Sequence, residues 1–175
     1  MNLACSQIAA KEIRLLVLDV DGVLTDGSIY YGNSGEELKA FNIQDGLGIK
    51  LLQGAGIEVA IITGRSSRLL SRRTDELGID RVIQGREDKL TALNELLTDK
   101  AYKLDEIAYM GDDLPDLAVI RRVGLGMTVA NASPSVAEHA RWQSKRAGGH
   151  GAVREAAEFI LKAQGKLAKA IEPFL

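Results

Sequence analysis

Cysteine is almost missing: Cys5 stands alone among 175 residues, so no disulfide can close within the chain, and no motif surrounds the thiol. A reducing, cytoplasmic setting fits that usage. Proline occurs three times, too rarely to mark a linker, and no repeat or low-complexity tract is present. An excess of one charge is lacking as well, since 22 Lys and Arg oppose 24 Asp and Glu along the whole sequence. That leaves no basic stripe for a nucleic acid and no polybasic anchor for a membrane. Residues 1–10 have no basic stretch followed by an apolar one, and no apolar run approaches membrane-spanning length. The expectation is a protein that stays where it is made. No cluster of His or Cys offers a site for zinc.

What is present is apolar: 46% of the residues, enough for one domain over residues 1–175 with a full-sized core. Apolar segments recur at Ile13–Leu18, Ile57–Ile62, Arg81–Ile83, Ile107–Met110 and Val123–Val129 and read as strands. Between them, Glu87–Leu97 carries Leu90, Leu93 and Leu97 on one helical face, with acids early in the stretch. Strand and helix in alternation predict an α/β fold with a parallel sheet covered on both sides. Ser28–Tyr31 and Glu37–Phe41 flank the turn-rich Gly32-Asn33-Ser34-Gly35 and predict a β-hairpin flap over about residues 27–41. The C-terminal part, about residues 145–175, begins with Gly148-Gly149-His150-Gly151, a hinge by composition, and continues in a helix over Ala152–Ile171. His139 reads as surface, and Trp142 as core or interface in a short strand.

Chemistry gathers at strand ends. Asp19 and Asp21 follow the buried run Leu15–Leu18, on a turn opened by Gly22, where open α/β sheets place their active sites. Two neighbouring acids are costly to bury unless a cation or a substrate needs them. Thr63-Gly64-Arg65 ends a second strand, Lys89 opens a helix, and Gly111-Asp112-Asp113 ends a third strand. Each alone has an ordinary explanation as a cap or a solvated face. Together they supply what phosphoryl transfer from an ester to a carboxylate requires. Asp19 is the candidate nucleophile. Asp21 would protonate the leaving alkoxide and later deprotonate the attacking water. Thr63 and Lys89 would hold the equatorial oxygens. Asp19 and Asp112 would share a divalent cation, and their hard oxygen ligands favour Mg²⁺. Asp113 and Asp116 either orient metal waters, fix Lys89 or cap the helix that starts near Leu114.

The series DVDGVLTDG, IITGR, EDK and GDDLPD resembles the haloacid dehalogenase superfamily of phosphotransferases in both order and placement. The resemblance implies a Rossmann-like three-layer fold. Asp21 places the chain with the phosphatases and phosphomutases, because the dehalogenase and phosphonatase branches lack this acid and the transport ATPases carry Thr there. The short interval between the first two motifs leaves room for a hairpin and for no large cap domain. Over nearly the whole chain, the hairpin, NIQDGLGIKLL, QGREDK and RAGGHGAVREAAEFIL resemble the 3-deoxy-D-manno-octulosonate 8-phosphate phosphatases. Those enzymes serve the synthesis of the lipopolysaccharide inner core and are similar to phosphatases of N-acylneuraminate 9-phosphate.

That resemblance implies Asp19 as nucleophile, Asp21 as acid/base, and a Mg²⁺ held by Asp19, Asp112 and the backbone carbonyl of Asp21. It puts substrate contacts on Asp21, Asn42, Ile43, Gln44, Asp45, Gly46, Lys50, Gly64, Arg65, Arg73 and Lys89. Lys50 and His150 stand where the family pattern has Arg. The family further implies a homotetramer whose hairpins pack together and whose Gly-rich tail reaches a neighbour's active site. Receiver-type regulatory domains also use an Asp, an acidic pair, a Thr and a Lys. In receivers, however, the acidic pair precedes the phosphorylated Asp, and no second acid follows that Asp by two residues.

Overall fold

The computed structural model describes residues 3–34, 37–99 and 101–175. Its frame is a six-stranded parallel sheet built from β1 (Leu15–Leu18), β4 (Glu58–Ile62), β5 (Arg81–Ile83), β6 (Ile107–Gly111), β7 (Leu125–Thr128) and β8 (Trp142–Gln143). The spatial order is β5-β4-β1-β6-β7-β8, and every pairing is parallel. All four residues of β1 are buried, as expected for a strand covered on both faces. Leu16 and Leu18 enter one core, and Leu15 and Val17 enter the other. The period-two alternation of a strand therefore divides the molecule into three layers.

On the first face lie α1 (Leu3–Glu12), α2 (Ile43–Gly54) and α7 (Ala152–Ala163). The apolar stripe Val153, Ala156, Ala157, Ile160 and Leu161 holds α7 against α2, with Trp142 stacked on Phe159 at 5.2 Å. Burying each large aliphatic chain of that stripe contributes about 1.5–3 kcal/mol. On the opposite face lie α4 (Lys89–Leu96), α5 (Leu117–Ile120) and α6 (Pro134–His139). Beyond α4, Leu104–Glu106 forms a single 3₁₀ turn leading into β6. The helix α3 (Arg68–Leu77) starts at Ser67, whose side chain accepts from the Leu69 amide, and ends at Gly78 in the left-handed region. The flap is the antiparallel pair β2 (Tyr30–Tyr31) and β3 (Glu37–Leu38).

The strands expected from Ile13 and Ile57 start one or two residues later, that over Val123–Val129 is trimmed at both ends, Arg81–Ile83 matches, and the strand from Ile107 extends to Gly111. The hairpin strands shrink to two residues each, and Gly35 of the expected turn lies outside the described residues. The C-terminal helix is broken in two at Gly165, which adopts φ 67° before α8 (Leu167–Ile171). The N-terminal helix α1 had no sequence signal, because it buries only Ser6 and Ala10 and so shows no apolar period. No helix among the described residues is long and apolar enough to cross a membrane.

Candidate active site

Strand order reverses between β1 and β6, and a crevice opens there at the carboxyl ends. Asp19 leaves β1 with its amide donating to the Met110 carbonyl at 2.9 Å, and Asp112 follows directly on β6. The turn after Asp19 is tightly wound. The amides of Val23, Leu24 and Thr25 all donate to the Val20 carbonyl, and Thr25 Oγ1 accepts from the Gly22 and Gly27 amides. Gly22 sits at φ 90°, and a Cβ on it would run into the Asp112 carboxylate. Glycine is what lets the Asp21–Gly22 peptide lie against that acid.

Beneath the crevice runs a buried chain of ionic hydrogen bonds. Lys89 Nζ lies 2.9 Å from Asp19 Oδ2 and donates to Asp116 Oδ1 at 2.6 Å. The Tyr109 hydroxyl donates to the same Asp116 oxygen at 2.5 Å, while the amides of Asp112 and Asp113 donate to Asp116 Oδ2 at 3.0 and 3.2 Å. Asp116 thus accepts four hydrogen bonds, the capacity of a carboxylate. Carboxylate oxygens of Asp19, Asp112 and Asp116 all lie within 4.8 Å of one another. Since Asp116 is saturated by its own donors, Asp19 and Asp112 are the pair with capacity for a cation. Asp116 therefore both fixes Lys89 and braces the loop that carries Asp112.

The electrostatics favour such an ion. Burial, followed by repulsion from Asp116, pushes both Asp19 and Asp112 up to about 7, and Lys89 opposes the shift in each. Burial works against the charge of Lys89, but Asp19 and Asp116 outweigh it and hold its pKa above the ordinary value. Burial, then Asp116, drives the Tyr109 phenol well above 10. A divalent cation between Asp19 and Asp112 would relieve the repulsion, and an all-oxygen donor set suits Mg²⁺.

Asp21 points at the flap. The Lys39 ammonium contacts Asp21 Oδ1, and Arg65 Nε lies 3.9 Å from Oδ2. Arg65 also donates to the Tyr31 hydroxyl at 3.4 Å, tying the loop after β4 to β2. Thr63 is buried at the end of β4, and its Oγ1 accepts from the Arg65 amide at 3.4 Å across Gly64. Beside the flap, a cavity of about 250 Å³ is lined by Lys39, Phe41, Leu69, Arg72, Arg73 and Glu76.

The expected substrate residues divide. Asn42 caps α2 through the Gln44 amide and donates to the Gly149 carbonyl at 3.2 Å. Arg73 Nη2 donates to the Asn42 carbonyl at 3.4 Å, and a Cβ on Gly46 would collide with that guanidinium. Asn42, Gly46 and Arg73 are therefore gathered at one edge of the crevice. Ile43 is 82% exposed, and Gln44 accepts from Arg146 at 2.8 Å. Two expectations need correction. Asp45 is buried and turned away, accepting from the Arg154 amide at 2.8 Å and the Gly151 amide at 3.3 Å, so it caps α7. Lys50 is not brought to the crevice, because its ammonium donates to the Leu77 carbonyl at 2.6 Å and completes the carboxyl end of α3.

The Gly-rich segment, which the family resemblance sends to a neighbour's active site, packs here on this chain's own turn. The Gly149 amide donates to the Val23 carbonyl at 3.0 Å, and the Gly148 amide donates to Asn131 Oδ1 at 3.0 Å. His150 and His139 are exposed. Sequence reasoning missed Tyr109, Thr25 and Lys39. A hydroxyl within the apolar run Ile107–Met110 was a usable signal, because a buried tyrosine needs a partner. Lys39 gave none, since a lysine in a hairpin reads as solvated.

Comparison with known proteins bears on the chain's family and fold. The sequence model for haloacid dehalogenase-like hydrolases matches residues 81–155, a span that includes Lys89, Asp112 and Asp116. The 3-deoxy-D-manno-octulosonate 8-phosphate phosphatase KdsC of Escherichia coli K12 is 52% identical over 161 residues, covering 92% of this chain and 86% of that protein. The chain belongs to the 3-deoxy-D-manno-octulosonate 8-phosphate phosphatase family. The structure of the Yersinia pestis phosphatase superposes with TM-score 0.92 at 49% identity, covering 94% of this chain and 89% of the other. That of the Moraxella catarrhalis phosphatase, in complex with magnesium, phosphate and KDO, superposes with TM-score 0.95 at 47% identity, covering 97% and 98%.

Proposed function

We propose that this chain hydrolyses 3-deoxy-D-manno-octulosonate 8-phosphate to the free sugar acid and phosphate through a phosphorylated Asp19, in the synthesis of the lipopolysaccharide inner core. The observation that carries the mechanism is the convergence of Asp19, Lys89 and Asp112 at the switch point, with Asp21 on the following turn. Asp19 and Asp112, with the Asp21 carbonyl, would hold Mg²⁺, which neutralises charge between the nucleophile and the phosphoryl oxygen. An Asp19 oxygen attacks phosphorus in line, and the bond to the sugar oxygen breaks. Asp21 delivers its proton to that oxygen. It then takes a proton from the water that attacks the phosphorus of the acyl phosphate, and Asp19 is released. Lys89, Thr63 and the Gly64 amide hold the equatorial oxygens.

Arg65, Arg73, Asn42 and Gly46 form the edge that receives the sugar acid, since guanidinium forks match its carboxylate. Ile43 and Gln44 line the rim. Ile29, Tyr30, Tyr31 and Leu38 of the flap, with Ile43 at the start of α2, are exposed apolar side chains suited to burial against other copies of the chain. We propose a cytoplasmic homotetramer that buries this patch, with the C-terminal tail reaching a neighbouring active site.

The test is phosphate release from the octulosonate 8-phosphate, N-acylneuraminate 9-phosphate and glucose 6-phosphate, with and without chelator. The octulosonate ester is expected to be preferred, and chelation to stop turnover reversibly. Asp19→Asn should lower the rate by about a thousandfold or more while keeping the fold. A variant with near-normal rate would remove Asp19 as nucleophile.

A further inference from the structure

Lys39 belongs to the flap, yet its side chain is only 3% exposed and its ammonium rests on Asp21 Oδ1. A lysine just past a two-residue strand would ordinarily extend into water, because desolvating an ammonium is costly. Here the ammonium has as its partner one oxygen of the residue that handles the proton. Arg65 stands on the other side, 3.9 Å from Oδ2, and is itself joined to the flap through Tyr31. The Asp21 carboxyl is thus clamped by one cation that the flap carries and one that the flap steadies. Its two oxygens are made inequivalent: Oδ1 is occupied by Lys39, while the longer contact, to Arg65, falls on Oδ2.

We infer that Lys39 is a positioning residue for the phosphoester reaction: seated on Oδ1, it fixes the Asp21 rotamer so that Oδ2 presents the proton to the departing oxygen. The inference rests on the proposed role of Asp21. It also ties the flap to the acid, since Lys39 follows directly on β3. In the step concerned, the bond from phosphorus to the ester oxygen breaks and the Asp21 proton passes to that oxygen, leaving Asp21 as carboxylate and the product as a neutral alcohol. Chemically poor leaving groups depend on that proton, and good ones do not.

The experiment compares Lys39→Met and Lys39→Gln with the parent on three esters under saturating Mg²⁺. They are the octulosonate 8-phosphate, glycerol 3-phosphate, which has an alkoxide leaving group and no carboxylate, and 4-nitrophenyl phosphate, whose leaving group needs no proton. Ratios of kcat between substrates within one preparation are independent of the fraction folded. Both variants should lose about tenfold or more further on the two alkyl esters than on the aryl ester, and Lys39→Arg should recover most of the difference. Equal losses on all three esters would mean that Lys39 only supports the fold, and a loss confined to the octulosonate ester would mean that it binds the substrate carboxylate. Either result overturns the inference. Asp21→Asn separates the two levels: if it fails to discriminate aryl from alkyl esters, the acid/base role itself is wrong and the positioning role falls with it. If Asp21→Asn discriminates and the Lys39 variants do not, the positioning role alone is lost.

Discussion

Asp116 shows how one side chain can stand behind a reaction without entering it. Its four acceptor sites hold Tyr109, Lys89 and two backbone amides, so the nucleophile's lysine and the loop of Asp112 are set by the same carboxylate. The cost falls on Asp19 and Asp112, both raised from 3.8 to about 7 chiefly by burial. Without metal, the folded chain binds more protons at these sites than the unfolded chain across that interval. Their contribution to stability is therefore fullest below about pH 4 and lost as pH rises to about 7. Other acids act in the opposite sense: Glu106 and Glu95 are lowered, chiefly by the Lys103 amide and by Arg86 respectively. The clean measurement is thus a difference. In chelator, the urea midpoint of Asp112→Asn relative to the parent should rise between about pH 5 and pH 8, and added Mg²⁺ should stabilise the parent more at the higher pH. A constant difference across that range would mean that Asp112 is not perturbed.

Among the elements, the Gly-rich segment is the most demanding. A Cβ on Gly148 would overlap the Gly22 carbonyl oxygen and lie 3.0 Å from that of Thr25. Neither backbone can yield without moving the turn that carries Asp21. Gly148→Ala should therefore lower stability by about 1–3 kcal/mol and reduce kcat as well. Gly54→Ala, at the end of α2 with open space around it, should be neutral or stabilising by about 0.5–1 kcal/mol. Thermal melts of the two variants with a shared activity assay make the comparison, and equal melting temperatures would contradict the packing described.

Elements differ in how legible they were. The strands and α4 showed their period or a continuous apolar run, and Asp19, Asp112 and Lys89 could be placed because each follows or opens such an element. Lys50 and Asp45 could not be. Both lie on α2, where the sequence gives no sign of which side chains turn toward α3 and α7 rather than toward the crevice. What decides the matter is tertiary: the orphan carbonyl of Leu77 and the orphan amides at the start of α7. Lys39 was hidden for the same reason, since its partner is distant in sequence and reached only when the flap folds down.

At the scale of the whole molecule, the flap ends in apolar side chains that the described residues leave exposed, Tyr31 at 71% and Leu38 at 63%. If copies of the chain cover them, sedimentation should give a species of four chains, and Leu38→Glu should shift it to smaller assemblies. The same variant should raise KM for the octulosonate ester. A parent that sediments as a monomer at working concentration would refute the assembly. Removing the chain beyond Gln164 tests the tail without touching α7, whose buried stripe the core requires. The expected loss is greater on the sugar acid than on 4-nitrophenyl phosphate.

The contact of Gly148 and Gly149 with the turn at residues 22–26 joins the beginning of the chain to a stretch near its end. During synthesis, the acids at positions 19 and 21 leave the ribosome long before the glycines that brace their loop. A nascent chain can thus pair its first strands and still lack a finished crevice. A growing polypeptide that has not yet extended through Gly149 holds both acids on a turn without its brace.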